Sequence, residues 1–166
     1  MGEYHLAYLS LGSNIEPEVN LPKAVQLLSK LGELIKISSV WESEPVGTTG
    51  PNYLNTCVLF KSTFALEELK EKVIHPIEAK LGRTRIENKF APRTIDIDIV
   101  LFEGEPIGID WLALAHIVVP LAEIHHEFQN PITNEKISET ATRLRREVWL
   151  ETRRGVLGNR AESSVG

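Results

Sequence analysis

The order of strand-like and helix-like segments is the feature that most restricts how this chain can fold. Apolar residues alternate with polar ones in some segments, the period of a strand, and recur every three to four residues in others, the period of a helix. Alternation predicts strands over residues 5–11, 34–41, 53–61 and 95–102, and helical spacing predicts helices over 21–31 and 63–80, with a short helix within 137–150. Asn20 is the expected N-cap of the first helix, and Pro22 falls in its first turn.

The elements follow one another as strand, helix, strand, strand, helix, strand, which is the order of a split βαβ unit. This order predicts an α+β fold of the ferredoxin-like class, with a mainly antiparallel sheet and helices packed on it. A chain of 166 residues has the size of one domain. We expect that domain to span residues 1–150, and residues 151–166 to form a flexible C-terminal tail.

Composition and charge exclude several classes of function. The chain has 18 Lys and Arg against 23 Asp and Glu, a net charge of −5. Nucleic-acid binders usually carry a basic excess, so we expect no nucleic-acid partner. The single cysteine, Cys57, cannot form an internal disulfide, and no apolar run approaches the ~18 residues of a membrane span. The N-terminus lacks a signal-peptide pattern, so we expect a cytoplasmic protein without a membrane partner.

Two aspartates on one predicted strand carry the sharpest chemical signal. Asp96 and Asp98 alternate with Ile95, Ile97 and Ile99, so their side chains project from one face, with Cα atoms about 7 Å apart. A divalent cation would neutralise such a pair, and hard carboxylate oxygens suit Mg²⁺, which is normally shared with substrate phosphates. The alternative is a solvated face on which the carboxylates only protect an edge strand from unwanted pairing.

Four cations directly precede this pair, namely Arg83, Arg85, Lys89 and Arg93. Guanidinium groups match phosphate oxygens in shape and charge. A plain salt-bridge network is the alternative interpretation. We favour metal–nucleotide chemistry because phosphoryl transfer requires cations and metal-binding carboxylates in one place.

A loop rich in proline and glycine forms the second signal. Residues 43–52 contain two of each residue type, which is typical of a loop. Tyr53 and Asn55 follow it on one side of the next strand. An amide beside an aromatic plane suits a flat heterocycle with an amide-like edge. The alternative is that both residues serve only packing and turn formation.

An ordered set of motifs resembles a known family. The motifs are S-L-G-S-N, E-S-E-P-V-G followed by Y-L-N, L-G-R-T-R, and A-P-R-T-I-D-I-D-I, within residues 5–124. Together they resemble 6-hydroxymethyl-7,8-dihydropterin pyrophosphokinase of folate biosynthesis. The resemblance implies ATP and 6-hydroxymethyl-7,8-dihydropterin as small-molecule substrates. It also implies transfer of the terminal diphosphate of ATP to the pterin hydroxymethyl group, with AMP as the other product.

The resemblance also implies roles for individual residues. Asp96 and Asp98 match the carboxylates that bind two Mg²⁺ ions, and Arg83 and Arg93 match the catalytic arginines. Positions that match the pterin site are Ser43, Val46, Gly47, Tyr53 and Asn55. Positions that match the ATP site are Glu78, Arg85, Lys89, Ile99, Leu112 and His116.

One segment departs from the family pattern. After the Asp strand, the family usually has a Pro-His segment, then an Arg and a Phe, before an apolar run that ends in Pro-Leu. Here Leu114-Ala115-His116 runs almost directly into Ile117-Val118-Val119-Pro120-Leu121. His116 matches either the phosphate-contacting histidine or the Phe that stacks on the pterin. This shortening leaves open a pterin- or nucleotide-binding relative with impaired catalysis. The sequence predicts neither an oligomeric state nor a general base.

Overall fold

The structure, a computed structural model, describes residues 3–82 and 94–158. Its strands are β1 (His5–Ser13), β2 (Glu33–Ile37), β3 (Val40–Ser43), β4 (Tyr53–Ser62), β5 (Asp96–Phe102), β6 (Glu105–Pro106) and β7 (Leu150–Arg153). Its helices are α1 (Pro17–Leu31), α2 (Leu66–Glu68), α3 (His75–Lys80), α4 (Ala115–Ile124) and α5 (Ile137–Arg145), with a π-helical segment at Leu69–Ile74 and a 3₁₀ turn at Asp110–Ala113. None of the helices in these ranges is long and apolar enough to cross a bilayer.

Within the described ranges, seven strands form one sheet in the order β6-β5-β1-β4-β3-β7, and β2 also pairs with β4. Every pairing between these strands is antiparallel. A mainly antiparallel sheet with helices packed on it confirms the predicted α+β, ferredoxin-like class. The long strands β1 and β4 lie at the centre, so their alternating side chains supply both faces of the sheet.

One face packs against α1 and the helical segment 66–80. Leu54, Val58 and Phe60 of β4 are buried on this face, as their spacing predicted. Leu21, Ala24 and Leu28 of α1 and Leu69, Val73, Ile74 and Ile77 of the second helical segment complete the cluster. Full burial of such a side chain contributes about 1.5–3 kcal/mol. This face therefore stabilises the fold.

The opposite face is covered only in part, by α4 and α5. Trp41, Cys57, Leu101 and Leu121 belong to the apolar cluster there. Cys57 is buried, as expected for an inert core residue, and burial raises the pKa of its thiol. The remainder of this face is open and carries the candidate site.

The predicted single strand over 34–41 is wrong, because two strands occupy it. The chain breaks between β2 and β3 at Ser38 and Ser39. Glu123 of α4 accepts hydrogen bonds from the Ser39 backbone N–H at 3.0 Å and from its hydroxyl at 2.7 Å. The same carboxylate accepts a third bond from the indole N–H of Trp41 at 2.8 Å. A buried polar break is tolerated only when its groups find partners, and here a helix supplies them.

A β-bulge in β5 corrects a second prediction. Leu9 of β1 lies opposite Ile99, but its neighbour Tyr8 lies opposite Leu101, so Val100 is an extra residue. An extra residue shifts the side-chain alternation beyond it. Ile99 therefore belongs to the cluster on the face of α1 and the helical segment 66–80, whereas Leu101 belongs to the cluster under α4. Strict alternation along the predicted strand over 95–102 would put Leu101 on the face of Ile95, Ile97 and Ile99, and on this point the prediction is wrong.

The first helix begins earlier than predicted. Pro17 is its first residue, and Glu16 before it adopts a left-handed φ of 40°. The Asn20 side chain does not cap the helix but donates to the carbonyl of Ile15 at 2.6 Å. Pro22 therefore lies inside the helix rather than in its first turn.

The chain after residue 150 also differs from the expected flexible tail. Residues up to Arg153 form β7, which pairs with β3. Hydrophobic periodicity does not detect this strand because most of its residues are polar or charged. Its Arg153 is instead held by ion pairs. Its guanidinium donates to Glu42 at 3.0 Å and to Glu18 at 3.3 Å. Residues 159–166 of the expected tail lie outside the described residues.

Candidate active site

Polar side chains collect on the part of the sheet face that α4 and α5 leave open. Gly12 of β1 lies opposite both Asp96 of β5 and Asn55 of β4, and Ser10 lies opposite Asp98. Directly opposed residues of antiparallel strands project from the same face. The residues that share this open region are Ser10, Gly12, Ser43, Tyr53, Asn55, Asp96 and Asp98. The strand register thus brings together Asn55 and Asp96, which lie about 40 positions apart in the sequence.

This open region forms the floor of a cavity of about 290 Å³. The loop after β3 and the first turn of α4 supply its walls. Of the predicted site residues, the cavity brings together Ser43, Val46, Tyr53, Asn55, Asp96, Asp98 and His116. The predicted heterocycle site and the predicted metal site are therefore parts of one cavity.

Asn55 is held in a defined orientation although it is buried. Its amide nitrogen donates to the carbonyl of Trp41 at 3.0 Å and to the hydroxyl oxygen of Ser43 at 2.8 Å. Both N–H donors are then used, which leaves the amide oxygen as the acceptor that faces the cavity. Asn55 therefore presents an acceptor, and the Ser43 hydroxyl keeps its own proton for donation.

Gly12 leaves the space that Asn55 and Tyr53 occupy. A Cβ atom at position 12 would lie 3.2 Å from the Asn55 amide oxygen and 3.7 Å from a ring carbon of Tyr53. The first distance is tighter than ordinary van der Waals contact. The backbone at Gly12 is thus required for close approach, not for an unusual turn.

The strand segment between the two aspartates is anchored from below. The N–H of Ile97 donates to a carboxylate oxygen of Glu78 at 3.0 Å, and Glu78 is only 2% exposed. Asp96 is half-buried and Asp98 is exposed toward the cavity. Glu78, predicted at the ATP site, therefore does not line the described cavities but supports the strand that carries both carboxylates.

A second cavity, of about 460 Å³, adjoins the first. Asp98, Leu114 and Ile117 line both cavities. Ile99, predicted at the ATP site, lines the second one together with Lys70. Leu112, also predicted at the ATP site, is 4% exposed and packs in the cluster under α4.

His116 lies in the first turn of α4 and is half-buried. It lines the first cavity and also a third one of about 300 Å³, which adjoins the same loop and contains Trp149. Burial lowers the pKa of the His116 imidazole, and the negative charge of Asp96 opposes this shift. His116 does not line the second cavity, where Ile99 lies.

Both ends of the loop after β3 are tied to one carboxylate. Glu42, at the end of β3, accepts from the Asn52 amide at 2.9 Å and from Arg153 of β7 at 3.0 Å. These bonds, the Asn52 bond first, lower the pKa of Glu42. Gly47 in the same loop has φ 76°, the left-handed region that favours glycine. It lies between Val46 and Thr48, which both line the first cavity.

Several predicted residues lie outside the described residues, namely Arg83, Arg85, Lys89 and Arg93. The structure also adds cavity residues that the sequence did not single out, namely Ser10, Gly12, Glu44, Pro45, Thr48, Leu114 and Ile117. Ser10 and Gly12 could have been found from the sequence. They are two small residues, two positions apart, and therefore lie on the same face of β1. Leu114 and Ile117 could not have been found, because an apolar residue at the start of a helix is normally predicted to be a core residue.

Fold and site together define an α+β protein with a composite small-molecule cavity that joins an amide–aromatic pair to two carboxylates. The family model of 7,8-dihydro-6-hydroxymethylpterin-pyrophosphokinase (HPPK) matches residues 8–130. The chain therefore belongs to the HPPK family, a family of transferases of folate biosynthesis. The matched residues end before α5 and β7 begin.

Curated relatives agree with this assignment. The chain is 36% identical to the 2-amino-4-hydroxy-6-hydroxymethyldihydropteridine pyrophosphokinase of Bacillus subtilis, over 84% of this chain and 90% of the relative. It is 34% identical to the enzyme of the same name from Aquifex aeolicus, over 80% and 88% of the two chains.

Among solved structures, the fold resembles the wild-type HPPK-DHPS of Plasmodium falciparum with SDX-DHP, at a TM-score of 0.68 and 13% identity. That match covers 89% of this chain but only 46% of the Plasmodium chain. At this identity the likeness concerns the fold alone. The present chain corresponds in fold to less than half of that longer protein.

Proposed function

We propose that this protein transfers the terminal diphosphate of ATP to the hydroxymethyl group of 6-hydroxymethyl-7,8-dihydropterin in a Mg²⁺-dependent reaction. One observation carries the proposal: the amide and aromatic side chains of β4 and the carboxylate pair of β5 line a single cavity. Transfer between two bound molecules requires both reacting centres in one site, since positioning supplies much of the rate.

The pterin end of the cavity fits the edge of that ring. A pterin presents an N–H donor next to a carbonyl acceptor. The Asn55 amide oxygen can accept from the donor, and the Ser43 hydroxyl can donate to the carbonyl, because Asn55 already occupies the Ser43 oxygen as an acceptor. Tyr53 offers an aromatic face to the ring, and Val46 and Gly47 of the loop complete this end.

The two aspartates fit magnesium. Among residues 3–82 and 94–158, no group of three or more His, Cys, Asp or Glu side chains is placed to hold a metal. Mg²⁺ does not need such a group, because one or two carboxylates together with waters and substrate phosphates satisfy it. We propose two Mg²⁺ ions at Asp96 and Asp98. When bound, they would neutralise negative charge on the phosphates.

The second cavity is the proposed place of the ATP base. It meets the first cavity at Asp98, so a nucleotide with its base beside Ile99 would direct its phosphates toward the carboxylates. Glu78 would act from below by holding the β5 backbone, and Leu112 by packing under the site. The family resemblance implies that Arg83 and Arg93 are the catalytic arginines that grip the phosphates, and that Arg85 and Lys89 belong to the ATP site.

In the proposed reaction, the hydroxymethyl oxygen forms a bond to the β-phosphorus of ATP. The bond from that phosphorus to the oxygen shared with the α-phosphate breaks, and AMP leaves with that oxygen. The hydroxyl proton passes to solvent or to a phosphate oxygen. The chain contributes by orienting the two substrates and by stabilising charge. We place the reaction in the cytoplasm, where a buried free thiol such as Cys57 stays reduced.

The decisive experiment mixes the purified protein with the pterin, ATP and Mg²⁺ and follows AMP and pterin diphosphate. We expect equal amounts of both products, dependent on the pterin and on the metal. Hydrolysis of ATP without pterin consumption would contradict the proposal. EDTA should abolish AMP formation, and adding Mg²⁺ back should restore it. Recovery of activity separates loss of metal from loss of fold.

A pterin-binding protein with impaired catalysis is the second candidate, and one observation favours it. The family segment that precedes the apolar run is shortened, and α4 begins directly at Ala115. Such a protein would bind the pterin in calorimetry without forming AMP. The same two measurements therefore separate the two candidates.

A further inference from the structure

Ser10 is a buried polar residue in the floor of the first cavity. It is only 7% exposed, and it lines this cavity together with Asp96 and Asp98. Within the part of the chain that the structure describes, no group forms a hydrogen bond with its hydroxyl. When ligands fill the cavity and displace solvent, this hydroxyl needs a partner, because a buried polar group without one costs free energy.

The neighbours of Ser10 on this sheet face include one strong hydrogen-bond acceptor. Cys57 of β4 and Asp98 of β5 lie directly opposite Ser10. Along β1, Gly12 has no side chain, and Tyr8 packs against the apolar cluster under α4. The Cys57 thiol forms only weak hydrogen bonds. Of these four neighbours, Asp98 is therefore the one whose polar group can act together with the Ser10 hydroxyl.

The spacing between Ser10 and Asp98 suits one bridging water molecule. Directly opposed side chains of an antiparallel pair have Cβ atoms about 4.5–5.5 Å apart. These two described residues form no direct hydrogen bond with each other, and one water commonly joins polar groups at such a spacing. A serine hydroxyl can accept a hydrogen bond from a water that is also bound elsewhere. Mg²⁺ keeps several waters when one or two carboxylates hold it.

We propose that Ser10 is a positioning residue of the metal site, and that its hydroxyl binds a water molecule of the metal ion at Asp98. Ser10 then raises the affinity of the protein for the metal–nucleotide complex without contact to the reacting atoms. This inference rests on the proposed function, which puts Mg²⁺ at Asp96 and Asp98. Groups that support the ligands of a metal in this way typically change metal affinity or activity ten- to a hundredfold.

Calorimetry on the whole chain tests the inference, with a non-hydrolysable ATP analogue as the probe. The Kd of the analogue is measured with Mg²⁺ and again in EDTA, and the Kd of the pterin is measured in EDTA. For Ser10→Ala we expect the Kd of the analogue with Mg²⁺ to rise about tenfold, the lower end of that range. Both values in EDTA should stay unchanged. Ser10→Cys, which carries a weakly hydrogen-bonding thiol of similar shape, should behave in the same way.

Ser62→Ala is the matched control. Ser62 is also a buried serine of the sheet, at 5% exposure, but it lies opposite His5 at the far end of β1. None of the three Kd values should change in this variant. Circular dichroism and urea denaturation verify that each variant keeps its fold.

Three results would overturn the inference. An equal rise of the analogue Kd in EDTA would assign the hydroxyl to the nucleotide itself, and a rise of the pterin Kd would assign it to the pterin. Unchanged values in Ser10→Ala would leave it without a role. The wild-type protein separates the two proposals: metal-dependent binding of the analogue with a silent Ser10→Ala leaves the proposed function intact, whereas wild-type binding that does not respond to Mg²⁺ removes both.

Discussion

Two halves of one sheet face differ completely in chemistry, although the same strands build both. Toward one end, β4 presents Tyr53 and Asn55, and β5 presents Asp96 and Asp98 to a cavity. A few residues further along these strands, Cys57 and Leu101 lie in a buried apolar cluster under α4 and α5. The open half presents polar groups to a cavity, and the covered half excludes water from apolar groups, whose burial stabilises the fold.

The difference shows that function and stability are separated along each strand rather than between strands. A substitution in the open half is expected to affect ligands, and one in the covered half is expected to affect unfolding. Four predictions test how strict this separation is.

The largest effect is expected at the carboxylate pair. Asp96→Ala should lower the Mg²⁺-dependent turnover at least about a thousandfold, equivalent to about 4 kcal/mol of transition-state stabilisation. Its free energy of unfolding should change little, because the cavity does not bury the pair in a core. Steady-state AMP formation and urea denaturation measure the two quantities. The control is Glu105→Gln, an exposed carboxylate on neighbouring β6; equal turnover in both variants would refute the metal role.

In the covered half, Leu101→Ala should lower the free energy of unfolding by about 2–5 kcal/mol, the usual cost of a large-to-small core change. Leu101 is fully buried. Turnover of the molecules that remain folded should stay close to that of the parent protein. Leu101→Met conserves most of the volume and should cost less than about 1.5 kcal/mol. If Leu101→Ala lost most of its turnover while fully folded, function and stability would not be separated between the two halves.

At the pterin end, Asn55→Ala should raise the KM for the pterin about ten- to a hundredfold, which corresponds to about 1–3 kcal/mol for a lost buried hydrogen-bonding group. The KM for ATP should change much less. The matched variant Gly12→Ala leaves Asn55 in place but crowds its amide oxygen, so it should impair the same KM more mildly. Parallel rises in both KM values would contradict the assignment of Asn55.

The smallest effect is expected at Glu42, which holds the end of the loop after β3 through Asn52 and strand β7 through Arg153. Hydrogen bonds from Asn52 and Arg153 lower the pKa of this carboxylate in the folded state. Its stabilising contribution is therefore complete above the unfolded pKa of about 4.3 and is lost as the pH falls through the lower folded pKa. Glu42→Gln should cost less than about 1 kcal/mol near neutral pH.

In urea denaturation, the difference between Glu42→Gln and the parent protein should vanish in strong acid. Glu18→Gln removes the other partner of Arg153 and leaves Glu42 intact, so it serves as the control. A difference that persists unchanged in acid would assign the effect to packing rather than to the ion pair.

The sequence was most informative where structure is set by near neighbours. Alternation over 53–61 and 95–102 correctly placed Asn55 and Asp96 on strands, because the two-residue period of a strand is a local property. Composition likewise identified the loop after β3. The bulge at Val100 and the break at Ser39 were not predictable, because each depends on a partner strand or helix.

The C-terminal strand illustrates the same limit. Arg153 is stabilised by Glu42, 111 positions away, and by Glu18, 135 positions away, and no local pattern can encode such pairing. The candidate site is similar: the sequence supplied the two groups of residues, but only the register through Gly12 shows that they share one cavity.

The single cysteine of this chain lies in the covered half, so its reactivity reports on the opening of that half. Cys57 is 1% exposed and lies two residues from Asn55 on the same strand. A thiol reagent can reach it only when α4 and α5 leave the sheet or the whole domain unfolds, so labelling that is faster than global unfolding measures the opening of that layer. Because no second thiol competes, mass spectrometry of the intact chain can follow this opening, with and without ligand in the neighbouring cavity, at one residue and without any engineered label.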